Sequence, residues 1–341
     1  MKIVTLSKSN LLPFLEASRS FGELHAPLKR GEKSCAFAQV EDVADIQVGC
    51  LRTILPPKKY FMPPEQTMFA FSTDGYAPVN EEAGKRYVLF GLHPCDIHGI
   101  KILDLVFSGA YTDPYYFERR KHVAIIGLDC IPDQLCFCNS MGTYFTEDGF
   151  DLFLSDIGDR YMVMVGTSLG DDMINASHHL FGEVDERAKE EFKRRSNARR
   201  EHFAVEVETW GLPEIFDLEY ESRLWKEAGE KCLSCGACSM VCPTCYCYDV
   251  LDLLELNAQQ GVRKRRWDSC LFKDYALVAG GHNFRKERSS RVKNRFFHKQ
   301  RGFVAEYGRP ACTGCGRCIE ACPADINIIE LITKLRSEAH V

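Results

Sequence analysis

Cys232-Leu-Ser-Cys235-Gly-Ala-Cys238-Ser-Met-Val-Cys242-Pro243 sets three cysteines at intervals of three residues, a fourth four residues later and a proline directly after it. This is the run C-x2-C-x2-C-x3-C-P, whose thiolates hold cubane iron–sulfur clusters. A second copy, Cys312-Thr-Gly-Cys315-Gly-Arg-Cys318-Ile-Glu-Ala-Cys322-Pro323, lies near the C-terminus. One copy could be a zinc loop; two copies, each with its proline, read as a pair of four-iron sites. Iron in such clusters needs soft, anionic donors, and deprotonated cysteine supplies both properties. Small residues keep the backbone close to the cube, a need that Gly236 and Gly316 meet. In the two-cluster arrangement the fourth cysteine of each run ligates the other cluster. The expected sets are therefore crossed: Cys232, Cys235, Cys238 and Cys322 on one cube, Cys312, Cys315, Cys318 and Cys242 on the other.

With 341 residues the chain has room for two domains and a substantial core. A net charge of −5 gives no general reason to expect nucleic acid or an anionic membrane as a partner. Cysteine is the anomaly of the composition, at 17 residues. Met1-Lys2-Ile3-Val4 runs into Lys8, Ser9 and Asn10 without the apolar region of a signal peptide. Nor does any stretch approach the roughly 18 apolar residues of a membrane span. The expectation is a soluble cytoplasmic protein whose thiols are reduced or metal-bound.

Towards the N-terminus, Leu11, Leu12, Phe14 and Leu15 suit an amphipathic helix, and Pro56-Pro57 and Pro63-Pro64 break the chain around Tyr60 and Phe61. Cys35 and Cys50 are each lone, without a metal-like spacing, and read as structural. Two similar units follow. Tyr87-Val-Leu-Phe-Gly-Leu-His-Pro-Cys95 and His122-Val-Ala-Ile-Ile-Gly-Leu-Asp-Cys130 are apolar runs of the buried-strand kind, each leading to a cysteine just past the strand end. Between them Asp96 is placed to cap a helix over Ile97 to Phe107. A strand, helix, strand unit makes the strands parallel and puts Cys95 and Cys130 at the same sheet edge, where ligands of open α/β sheets gather. Cys136-Phe-Cys138 follows six residues on. These four cysteines fit one cluster, one zinc site or a set of buried apolar thiols. Phe150 to Leu154 and Tyr161 to Val165 suggest a hairpin, and Glu183 to Arg200 a solvated helix.

The chain thus divides into an α/β part over residues 1–215, a mixed sheet with a parallel core, and a mostly helical part over residues 216–341 that contains a two-cluster ferredoxin-like module. The 69 residues from Pro243 to Ala311 that separate the two runs carry three further cysteines, Cys245, Cys247 and Cys270. Buried thiols beside the cubes, or another site with a non-cysteine ligand, would account for them. From Arg263 to Arg301 there are 13 Lys or Arg against three Asp or Glu. This basic arc either compensates anionic clusters or faces an acidic partner. No G-x-G-x-x-G follows a strand, and no phosphate-loop or H-E-x-x-H motif is present. Without a visible flavin, nicotinamide or substrate site, no catalytic residue is assigned and the chain reads as a conductor of electrons.

Several segments carry a family resemblance: Pro56-Pro57-Lys58-Lys59, His93-Pro-Cys95-Asp96, Lys101-Ile-Leu-Asp104, Cys136-Phe-Cys138, Gly149-Phe-Asp-Leu-Phe-Leu154, Cys242-Pro-Thr-Cys245-Tyr-Cys247, Arg266-Trp-Asp-Ser-Cys270 and Val278-Ala-Gly-Gly-His-Asn-Phe-Arg285. In these the chain resembles the dicluster iron–sulfur beta subunits of soluble NAD(P)-linked nickel–iron hydrogenases, or sulfhydrogenases, and the A subunit of anaerobic sulfite reductase. The Pro-Pro-Lys-Lys and Gly-Gly-His-Asn-Phe-Arg segments favour the hydrogenase-like branch. The resemblance implies an anaerobic hetero-oligomer in which this chain relays electrons between a flavin- and NAD(P)-binding subunit and a catalytic subunit, hydrogenase or heterodisulfide-reductase-like. It implies two [4Fe-4S] clusters and a third iron–sulfur cluster on Cys95, Cys130, Cys136 and Cys138; Cys35 and Cys50 match nothing in the family pattern. The alternative it leaves is a subunit of a sulfite or sulfur reductase whose N-terminal cluster meets the substrate.

Overall fold

The computed structural model describes residues 2–32, 34–79, 84–256 and 258–339. Twelve strands are found among them: β1 (Ile3–Ser7), β2 (Glu23–Arg30), β3 (Ser34–Gln39), β4 (Glu65–Ser72), β5 (Gly75–Pro78), β6 (Tyr87–Leu92), β7 (Val123–Leu128), β8 (Leu152–Asp156), β9 (Arg160–Val165), β10 (Phe181–Gly182), β11 (Tyr248–Leu254) and β12 (Gln260–Trp267). Eight form one sheet in the order β10-β1-β9-β8-β7-β6-β2-β3. Its centre, β2, β6, β7 and β8, is parallel, and the flanking pairs are antiparallel. This is the expected mixed sheet with a parallel core.

Strands covered on both faces read as continuous apolar runs, and every residue of β7 is buried. Alternate side chains enter two cores, as the two-residue period of a strand requires. Val88, Phe90 and Ile126 pack with Phe14 and Leu15 of the Leu11–Ser18 helix, whereas Leu89, Ile125 and Phe153 pack with Ile97 and Ile100. Those two isoleucines belong to the crossover helix Pro94–Phe107. A third core gathers Phe216, Trp225, Phe296, Ile328 and Ile332 around Cys232 and Cys270.

The crossover helix starts earlier than Ile97, at Pro94, with His93 at the N-cap. Asp96 is not its cap. It lies in the first turn, 1% exposed, and its carboxylate is turned to Arg317, with which it forms a buried ion pair. Cys35 and Cys50 are not lone thiols either: they form a disulfide, with Cα atoms 6.7 Å apart. Cys35 bridges Thr53 across a loop, and that return brings Cys50 to it, a proximity invisible in a spacing of 15 residues.

The segment between the two cysteine runs contributes a β-ribbon, β11 and β12, which the expected helical character of residues 216–341 did not include. β12 pairs antiparallel with β4, and β4 with β5. Residues 260–267 therefore complete a second sheet begun by residues 65–72. Among the described residues no helix is long and apolar enough to cross a membrane.

Candidate metal centres

The parallel pairing of β6 with β7 delivers Cys95 and Cys130 to the same sheet edge. His93 ties that edge together: its Nδ1 lies 2.9 Å from the Leu128 carbonyl and its Nε2 3.1 Å from the Cys50 carbonyl. Cys136 and Cys138 are buried in the loop that follows. Cys138 is in electrostatic reach of Cys130 and Cys136, and Cys95 of Cys138. The fold thus gathers all four N-terminal cysteines.

The two C-terminal runs are built alike. Each leads from an extended cysteine loop into a one-turn helix, Ala237–Met240 or Arg317–Glu320, through a glycine in the left-handed conformation, Gly236 or Gly316. Cys232, Cys235 and Cys238 line one cavity together with Cys322 and Cys318 of the other run. Conversely, Cys242 of the first run lies with Cys312 and Cys318. Thr244 makes that crossing rigid. Its hydroxyl donates to the Ala311 carbonyl at 2.6 Å, and lies 3.3 Å from the Cys242 sulfur. Backbone amides point at three of the sulfurs: Ser234 at Cys232 (3.4 Å), Gly314 at Cys312 (3.4 Å) and Ile326 at Cys322 (3.3 Å).

The second run is also in backbone contact with the N-terminal set. Phe137 N–H donates to the Gly314 carbonyl at 2.9 Å, and the Thr143 hydroxyl to the Thr313 carbonyl at 2.6 Å. A β-carbon on Gly314 would meet Phe137 and Cys138 main-chain atoms at 2.6 Å, and one on Gly316 the Leu135 carbonyl oxygen at 2.6 Å. Only glycine permits so close an approach. Cys315 consequently lies near both Cys95 and Cys138.

Around these sulfurs the chain buries cations. Arg295 donates to the Cys238 carbonyl at 3.0 Å and approaches the Cys245 sulfur at 3.7 Å. Lys299 donates to the Thr244 carbonyl (2.9 Å) and hydroxyl (2.7 Å). Lys58 donates to the Cys245 (2.9 Å) and Ser239 (3.3 Å) carbonyls and lies over the Trp267 ring. Among the described residues none of these three has a carboxylate partner. Arg317 pairs with Asp96, Nη1 to Oδ1 at 2.7 Å. Arg52 binds Asp133, the Cys315 carbonyl (2.9 Å) and the Cys136 sulfur (3.4 Å).

Isolated buried charge is costly, so unpaired buried cations call for anions in the same pocket. Burial works against the charge of Arg295 and Lys299, yet the neighbouring cysteines outweigh it and raise both. For Lys58 burial prevails and holds it down at about 8. Burial also pushes the Cys130 and Cys312 thiols up to about 12, which a coordinated metal reverses because it displaces the proton outright. Among the described residues no three His, Cys, Asp or Glu groups converge on a point where one ion would be held; thiolates at the corners of a cube stand farther apart. Thr313 Oγ1, next to Cys312, is buried without a protein partner. Donor set, unpaired cations and glycine-lined approach all fit iron–sulfur cubes.

Cys245, Cys247 and Cys270 lie beside these sets. Cys245 neighbours Cys242, Cys270 neighbours Cys247 and Cys238, and the Cys247 sulfur is 3.6 Å from the Tyr275 hydroxyl. The residues that sequence reasoning missed are the cations. The basic arc contained Arg295 and Lys299, but nothing marked them as the buried members, and Lys58 and Arg52 lie far from either run.

The 4Fe-4S dicluster domain family matches residues 231–326. The beta subunit of sulfhydrogenase 2 from Pyrococcus furiosus is 40% identical over 336 residues, covering 98% of this chain and 99% of that protein. No solved structure matches the chain. With two crossed cysteine runs inside a matching dicluster domain and identity sustained over nearly its whole length, the chain belongs to the family of iron–sulfur beta subunits of sulfhydrogenases.

Proposed function

We propose that this chain is an electron-transfer subunit of a cytoplasmic, multi-subunit hydrogenase, and that it relays electrons between a flavin- and NAD(P)-binding subunit and a catalytic subunit. Cys232, Cys235, Cys238 and Cys322 hold one [4Fe-4S] cluster, Cys312, Cys315, Cys318 and Cys242 the second, and Cys95, Cys130, Cys136 and Cys138 a third. Such clusters take up and release one electron at a time. The protein supplies the ligands, the cations that offset cluster charge and the buried surroundings that set potentials.

The observation that carries this reading is the position of Cys315, beside Cys95 and Cys138 on one side and beside Cys312 and Cys318 on the other. It supports a file in which the N-terminal set adjoins the Cys312 set, and the cavity shared by Cys232, Cys235 and Cys238 with Cys318 and Cys322 supports its continuation to the first run. Anaerobically purified protein should contain about 12 iron atoms per chain, four for each cube. Cys136→Ser should lower this by about four. Unchanged iron in that variant removes the third site; stoichiometric zinc with almost no iron removes the whole reading.

One feature favours the sulfite- or sulfur-reductase alternative, an open cleft at the sheet edge lined by Cys130, His93, Tyr161 and Arg199. Reduction of sulfite or polysulfide by the isolated chain with a reduced viologen dye would support it, and strict dependence on a partner would exclude it.

A further inference from the structure

Of the fifteen free cysteines, Cys235 alone is exposed. Leu233, two residues before it, is 62% exposed and with Ser234 enters an open groove of about 770 Å³. Five of the eleven residues lining that groove are basic, Lys226, Lys273, Lys286, Arg288 and Arg291, against two glutamates. Arg288 donates to the Cys232 carbonyl at 2.9 Å and Arg291 to the Ser234 hydroxyl at 3.0 Å, so the basic wall is anchored to the cysteine loop itself. Lys226, Lys273 and Lys286 are exposed, and among the described residues they make no ion pair.

We propose that this groove is the docking surface for an acidic redox protein, which exchanges electrons with the cluster held by Cys232, Cys235, Cys238 and Cys322. The inference rests on the electron-transfer reading above and adds where the first run meets its partner and of what charge that partner is. The chain as a whole carries −5 and so repels an acidic protein at a distance. A local patch of opposite sign then selects the one orientation in which the partner's centre faces Cys235. Complementary charge of this kind acts on encounter rate and register more than on affinity. An apolar contact, Leu233, inside a charged rim is also the anatomy of a specific interface.

The test uses the native complex, purified anaerobically and treated with a zero-length carbodiimide that couples lysine to carboxylate. Lys226, Lys273 or Lys286 should be joined to an Asp or Glu of another redox subunit. In parallel, a chain carrying Lys273→Glu and Lys286→Glu, iron-loaded, with clusters that dithionite bleaches fully in a separate sample, should when oxidised be reduced by the hydrogen-reduced remainder of the complex at least tenfold more slowly than wild type at low ionic strength. High salt should narrow that gap, and Lys189→Glu on the Glu186–Glu201 helix should have no effect. Rates within twofold of wild type, or acetylation of these lysines as fast in the complex as in the free chain, overturn the docking surface alone. If dithionite bleaches the wild-type clusters but the remainder of the complex never does, the electron-transfer reading falls and this inference falls with it.

Discussion

Thr244 donates its hydroxyl hydrogen to the carbonyl of Ala311 at 2.6 Å, which joins the residue two places after Cys242 to the residue directly before Cys312. The same hydroxyl is held by Lys299 at 2.7 Å. One side chain therefore fastens the last cysteine of the first run to the start of the second.

Thr244→Val keeps the shape and removes that bond, leaving a buried carbonyl and a buried ammonium each short of a partner. The expected cost is about 1–3 kcal/mol. Iron should be lost to a chelator faster than from wild type, and about half of the dicluster iron, the share of the Cys242 set, should leave first. Chelator-release kinetics with iron quantification check this.

Gly314→Ala puts a methyl group where main-chain atoms of Phe137 and Cys138 would stand 2.6 Å away, at a residue with φ of +63°. The left-handed backbone alone costs about 1–2 kcal/mol, and the loop of Cys136 and Cys138 must withdraw. Iron held by the N-terminal set should fall while the Cys232 set keeps its iron, as electron paramagnetic resonance and metal analysis would show.

Asp96→Asn leaves the guanidinium of Arg317, 3% exposed, without its counter-ion. Breaking a buried pair from one side costs about 3–5 kcal/mol. The double variant Asp96→Leu with Arg317→Met should be markedly less destabilised than Asp96→Asn, because no lone charge remains. Denaturant midpoints of the three proteins decide it.

His298 packs edge-on to Tyr246, and its pKa is lowered to about 4 by burial and by neighbouring Lys299. In the unfolded chain the ring returns to its ordinary value of 6.5, so between these values the unfolded state binds more protons. Stability therefore falls as pH drops from about 6.5 towards 4. His298→Gln should flatten that part of the profile. Denaturation midpoints at pH 7 and pH 5 should converge in the variant relative to wild type.

Legibility differed between features for physical reasons. The cysteine runs are local, because in them one short loop presents three thiolates to a single cube, so Cys232 to Cys242 and Cys312 to Cys322 could be read without any structure. The buried strands β6 and β7 were legible because a parallel strand covered on both faces must be continuously apolar. Asp96 was misread because an acidic residue in a first helical turn satisfies the capping pattern whatever stands opposite it. Its partner Arg317 is 221 residues away, and no local rule sees that far. The disulfide of Cys35 with Cys50 was hidden for the same reason.

The sequence by itself determined the donor chemistry, the pairing of two cysteine runs and the parallel strands that carry Cys95 and Cys130 to one edge. Tertiary structure alone decided that the second run touches the Leu135–Cys138 loop, that Lys58, Arg295 and Lys299 are the cations brought inside, and that Cys235 faces solvent. A ligand run is a short-range pattern imposed by the geometry of the thing it binds. Charge compensation and exposure depend instead on which distant segments close over the site, and that is settled only when the whole chain has packed.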